Sequence, residues 1–372
     1  MGRVLFARIH PNDEVRETMG STGKFWRRAG FAAMAVTTLM AAACGESASE
    51  GAGSTSSPQD QADASAFPVS IPSALGAADI PAVPQRVVTL GWGSDDAALA
   101  LGVVPVAVQN MKSDTGTDDG ILPWSRSRLR ELDPAAQPTM LTASSKEIPF
   151  EQIASLRPDV ILAVHSGLNQ EQFDTLAAIA PTVAYPGRRW ATSWEDQITT
   201  VGKALGRSER AQDLVTQSRE LLTEVKAQHP EFAGKTAAFG SATEAGSYNF
   251  YFDTDPRLTL LESLGFDADP LARQLREGSD QTKFSAPVSL ELLPNHDPDV
   301  LVAWYLSPEL RSGIESNPLF AGLGAVGGNS YVPLTDPPLV FASSSPNVLS
   351  IPWLLDQLVP RLSEAAANVP VG

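Results

Sequence analysis

The clearest pattern of apolar positions lies between residues 208 and 230, where Ala211, Leu214, Val215, Leu221, Leu222 and Val225 recur with small Ser218 at three- and one-residue steps. Only a 3.6-residue period puts these on one stripe, so the spacing predicts an amphipathic helix. Ser208 is its candidate cap, Glu209 suits its positive end and Pro230 its stop. At about 1.5 Å per residue it spans about 33 Å, long enough to bridge two lobes. On both sides, buried strand patterns alternate with helical ones. Before the bridge, residues 86–90, 104–108, 159–164 and 182–185 read as strands, and 95–101, 149–156, 169–179 and 194–205 as helices. After it, 236–239 and 249–252 read as strands, 257–264 as a helix stopped by Gly265, and 350–358 as a last helix. The fold class is therefore α/β: two lobes with central β-sheets flanked by helices, joined by one long α-helix.

A unit repeats across the bridge. Glu151 stands seven residues before Pro158-Asp159-Val160, and Glu291 seven before Pro298-Asp299-Val300. Each unit reads helix, turn, strand, and ends in a matching apolar run, VILAV or VLVAW.

Composition changes the picture mainly at the N-terminus. The 372 residues are 43% hydrophobic, enough for two cores. Lys24, Arg27 and Arg28 precede the apolar run 29–43, too short to span a membrane and suited to a signal-peptide core. The only cysteine, Cys44, follows Ala41-Ala42-Ala43 and looks like the lipidated cysteine of a bacterial lipobox, with Ala41 where leucine is usual. Residues 1–43 are thus expected to be a lipoprotein signal peptide. Acidic Asp13, Glu14 and Glu17 leave Met1 and Met19 both open as starts, and Arg27-Arg28 leaves Sec and twin-arginine export open. Residues 44–66 read as a flexible tether, 83–192 as the first lobe, 193–230 as linking helices and 235–362 as the second lobe with its terminal helix. Removing residues 1–43 takes six basic and three acidic side chains from 27 and 43, leaving 21 against 40, a net of −19. That argues against nucleic acid and anionic headgroups as partners.

With Cys44 lipidated, no disulfide or catalytic thiol remains. His165, His229 and His296 are far apart in sequence, so no resident metal is expected. Gly-x-Ser-x-Gly, His-Glu-x-x-His and Gly-x-x-x-x-Gly-Lys are all missing, which leaves an enzyme only an unmarked carboxylate pair. Open α/β sheets present ligands at the carboxyl ends of their strands. Those ends carry Trp92, His165, Tyr185, Arg188, Arg189, Trp190, Trp304, Tyr305 and, a few residues on, Arg311, with Tyr248 and Tyr251 near another. Aromatic walls with a few arginines suit a bulky, partly apolar ligand.

The order and spacing of Arg86-Val-Val-Thr-Leu-Gly-Trp-Gly, AALALGVVPV (97–106), Leu156-Arg-Pro-Asp-Val-Ile-Leu-Ala, Val201-Gly-Lys-Ala-Leu-Gly-Arg and Asp297-Pro-Asp-Val resemble the helix-bridged substrate-binding lipoproteins of ABC importers for ferric siderophores, haem or cobalamin. The resemblance covers residues 83–362. It implies capture of a ferric siderophore in an interlobe cleft, with haem or cobalamin as the alternative, no cofactor and no enzymatic activity. It also implies a monomer anchored to the extracytoplasmic membrane face through Cys44, and docking of Glu151 and Glu291 onto an ABC permease dimer. An envelope enzyme or a protein-interaction lipoprotein is the alternative from another class.

Overall fold

The computed structural model describes residues 61–142, 147–242, 248–280, 283–291, 293 and 297–370. Cys44, residues 1–43 and His296 lie outside them. Among the described residues no helix is long and apolar enough to cross a membrane.

The described chain enters through an antiparallel hairpin, β1 (Val69–Pro72) and β2 (Ala77–Ile80), which the sequence reading missed. Residues 61–66, expected in the tether, already touch the body: a short turn covers Ala64–Ala66, and the Asp63 N–H donates to Gly206 O at 2.8 Å.

The first lobe is built on β3 (Val87–Thr89), β4 (Ala107–Gln109), β5 (Thr139–Leu141), β6 (Val160–Leu162) and β7 (Thr182–Val183). They form an all-parallel sheet in the order β5-β4-β3-β6-β7. β3 and β6 are buried along their whole length, which is why they read as continuous apolar runs and not as alternation. The second lobe uses β8 (Thr236–Ala242), β9 (Tyr248–Tyr251), β10 (Asp267–Ala268), β11 (Ser285–Val288), β12 (Val300–Tyr305) and β13 (Tyr331–Leu334), in the order β11-β9-β8-β12-β13 with β10 beside β8. Here β9 runs antiparallel to both β8 and β11.

The repeated Pro-Asp-Val has a structural use. Asp159, leading into β6, accepts from the backbone N–H groups of Gln85 and Arg86 at 2.7 and 2.9 Å, just before β3. Asp299, leading into β12, accepts from the N–H and hydroxyl of Thr236, the first residue of β8, at 2.7 and 3.0 Å. β6 pairs with β3, and β12 with β8. In each lobe the carboxylate therefore satisfies backbone donors at the start of the neighbouring strand and fixes its register.

One uninterrupted helix, Ser208–Gln228, joins the lobes. Ala211 and Val215 sit in the core of the first lobe with Val183 and Val201, whereas Leu222 sits in the core of the second with Phe232 and Leu258. Ser208 is its first helical residue and not its cap; Arg207 holds the cap position without a side-chain bond. Pro230 opens a separate turn, Pro230–Phe232. The last helix runs on to Ala367, past Pro360, because Leu358, Val359, Leu362, Ala365 and Ala366 keep the apolar stripe buried. A second tie crosses between the lobes at buried Asp96. It accepts from Trp124 Nε1 at 2.9 Å, from the Ser125 hydroxyl, and from Asn347 Nδ2 at 2.7 Å, the last in the loop before the Ser350–Ala367 helix.

Candidate functional site

The carboxyl ends of both sheets face a cavity of about 740 Å³. Trp92, Gln109, Asp114, His165 and Trp190 line it from the first lobe, and Arg257, Phe284, Trp304, Tyr305, Leu306 and Phe341 from the second.

Trp92 is aimed by its turn. Gly91 and Gly93 both have left-handed φ, at 75° and 73°, and a Cβ on Gly91 would lie 2.4 Å from the His165 carbonyl oxygen. Only glycine permits that approach. The Trp92 N–H donates to that carbonyl at 3.0 Å, and Gln197 Nε2 donates to the Trp92 carbonyl at 2.7 Å. The indole meets Trp190 at 5.0 Å and, across the lobes, Phe341 at 4.8 Å between ring centroids. Trp190 is itself held at a φ of 56°, against Gly167, where a Cβ would come within 2.5 Å of the indole nitrogen.

His165 follows β6 and is buried, 3% exposed. Its Nδ1 lies 3.1 Å from the Thr192 carbonyl oxygen, so Nδ1 carries the proton and Nε2 is left as an acceptor. Burial pushes the imidazole down to about 4, against the opposing pull of that bond and with the help of the Arg257 charge, so the ring is neutral at physiological pH.

On the second lobe, Trp304 Nε1 donates to the Tyr251 hydroxyl at 2.9 Å, and the Arg257 guanidinium lies 4.0 Å above the Tyr251 ring. Arg257 Nη1 reaches both oxygens of Asp255, at 3.0 and 3.1 Å, and Nε donates to the Ser344 hydroxyl at 3.3 Å. Asp255 also caps the Pro256–Leu264 helix by accepting from the Arg257 N–H. Leu306, just past β12, is 69% exposed at the cavity.

Five of the residues singled out by sequence, Trp92, His165, Trp190, Trp304 and Tyr305, meet at this cavity. The other six do not line it. Tyr185 is buried and donates to the Leu168 carbonyl at 2.9 Å, and Arg189 Nε donates to the Tyr185 hydroxyl. Arg188 Nη1 donates to the Lys283 carbonyl at 3.0 Å. Tyr248 is fully buried among Phe250 and Phe320, because it shares with Phe250 the face of β9 that packs into the core. Tyr251 stands behind Trp304 and Arg257, and Arg311 pairs with Glu315 at 2.7 Å on its own helix. Sequence reading missed Arg257, Gln109, Asp114, Phe284, Leu306 and Phe341. For Arg257 a signal existed: Asp255-Pro256-Arg257 has the form of a capped helix start, whose third residue can turn back on the cap. Among the described residues no cluster of His, Cys, Asp and Glu could hold a metal ion. Glu151 is exposed on the Phe150–Ser155 helix; Glu291 is exposed in a turn after β11, not on the helix expected there.

Residues 87–337 match the family of periplasmic binding proteins. The chain belongs to that family. This binding protein is 30% identical over 232 residues to the probable siderophore-binding lipoprotein YfiY of Bacillus subtilis, covering 61% of the chain and 66%, just under two thirds, of that relative. Among solved structures, it is similar to Streptococcus pneumoniae PiaA in complex with ferrichrome, at 28% identity and a TM-score of 0.73 over 81% of this chain and 99% of that one. It shares the fold of Staphylococcus aureus SirA complexed with staphyloferrin B, at 23% identity and a TM-score of 0.65 over 79% and 98% of the two chains. All three are named or solved as binding proteins or binding lipoproteins or in complex with a siderophore.

Proposed function

We propose that this chain is an extracytoplasmic substrate-binding lipoprotein that captures a ferric siderophore between its lobes and delivers it to an ABC permease. The observation that carries this reading is the interlobe cavity of about 740 Å³, walled by Trp92, Trp190, Phe284, Trp304 and Phe341 at the carboxyl ends of two sheets. Its size is that of a site for a bulky small molecule. The cargo's iron comes wrapped in chelator oxygens, so the protein supplies shape, aromatic contact and a few donors in place of metal ligands. Ferrichrome in the PiaA complex, and the naming of YfiY as a probable siderophore-binding lipoprotein, support the same class.

Cys44 carries the lipid anchor in this reading, and residues from 44 onward tether the body to the membrane face. Glu151 and Glu291, both exposed, dock as a pair onto a two-fold permease, setting register more than affinity. Tryptophan-fluorescence titration with ferric siderophores, haem and cobalamin tests the reading, because Trp92, Trp190 and Trp304 all face the cavity. Quenching by a ferric siderophore at micromolar concentration or below is expected. No response to any of them ends the proposal; a response to haem alone replaces the cargo and keeps the fold's role.

A further inference from the structure

We propose that the cavity selects ferric complexes of zero or positive charge, the trishydroxamate class, and rejects anionic triscatecholates and polycarboxylates. This rests on the siderophore reading above and adds the charge class of the cargo.

The charges around the cavity cancel. Among the described residues the ionic side chains that line it are Asp114 and Arg257. Arg257 is already balanced, since both oxygens of Asp255 lie against one of its nitrogens and the Asp255 side chain is wholly buried. Burial pushes the Asp255 carboxyl up, against the pull of the Arg257 charge and hydrogen bonds and, last, of Arg188, which lies outside the lining. The His165 ring is neutral. Arg189 and Arg311, which the sequence placed at the strand ends, do not line the cavity; Arg189 donates to the Tyr185 hydroxyl and Arg311 is paired with Glu315.

A ferric triscatecholate carries a triple negative charge, because each catecholate brings two charges to an ion that needs three in all. Taking such an anion out of water against a chamber whose described lining residues hold no surplus cation leaves its charge uncompensated. The mature chain's net of −19 repels it at long range as well. In a trishydroxamate, three monoanions neutralise the ion, so no counter-charge is needed. Its carbonyl and N–O oxygens accept hydrogen bonds, and its hydrocarbon linkers prefer apolar walls. The cavity offers both. Arg257 uses Nε and Nη1 within the protein and keeps Nη2 as a donor, and Gln109 adds an amide. Exposed Leu306 and the indoles of Trp92, Trp190 and Trp304 supply apolar surface.

The test titrates the purified mature chain by tryptophan quenching with ferrichrome and ferrioxamine B on one side and ferric staphyloferrin B and a ferric triscatecholate on the other. The hydroxamates are expected to bind at least about a hundredfold tighter. Ferrichrome affinity is expected to change less than about twofold between low and high salt, because an uncharged ligand has no screened attraction to lose. Asp114→Lys is expected to narrow the gap by about tenfold or more by raising affinity for the anions. Anionic complexes that bind as tightly as ferrichrome overturn the charge class and leave the siderophore reading standing. If none of the four binds at micromolar concentration, the siderophore reading itself falls and this inference falls with it.

Discussion

Buried His165 makes stability pH-dependent. Folded, its imidazole takes a proton only near pH 4; unfolded, it does so near 6.5, so between those values the unfolded chain holds more protons and stability rises with pH. The contribution is complete above about pH 6.5 and is lost by pH 4, about 3 kcal/mol in all. Urea midpoints measured from pH 4.5 to 7.5 should show this slope, and His165→Gln should flatten it. Trp92 and Trp190 wall the cavity, and on the proposed reading each alanine variant should weaken siderophore binding by about thirtyfold or more, read by quenching of the remaining tryptophans. Trp92, His165, Trp190, Trp304 and Tyr305 were legible in the sequence because a strand's carboxyl end can be read from where its apolar run stops. Tyr185, Tyr248 and Tyr251 were not, since the direction of a side chain depends on packing partners. Arg257 was hidden for a related reason: an arginine in a first helical turn reads as solvated until its buried carboxylate partner is seen.

At the scale of elements, the duplicated Asp159 and Asp299 do the same task at the same place in two sheets. Replacing either with alanine strands two strand-start donors or a donor and a hydroxyl, which should cost about 1–3 kcal/mol in urea unfolding. Equal costs at the two sites would mark the repeat as structural in origin. Sequence periodicity located the bridge helix and most strands, because burial on one stripe or on both faces leaves a pattern. It missed the β1–β2 hairpin, where the burial pattern shows only one buried residue in β1, and it ended the last helix at residue 358, nine residues before the structure does. The sense of β9 was also beyond reach, as a short apolar strand reads alike in either direction.

For the whole molecule, the proposed docking onto a permease would engage Glu151 and Glu291 together. Reversing both to lysine should abolish uptake in cells while leaving siderophore binding by the purified chain within about twofold. Loss of binding in the double variant, or normal uptake, would remove the docking role. The bridge helix has a different consequence. Because Ala211 and Val215 belong to one core and Leu222 to the other, melting either lobe strips that helix of half its support and leaves the rest too short to persist alone. Asp96 fastens Asn347 from the far lobe to the near one and adds to this dependence. Denaturation followed by far-ultraviolet dichroism and by tryptophan emission should therefore trace one shared sigmoid, as befits a body whose halves are obliged to come apart together.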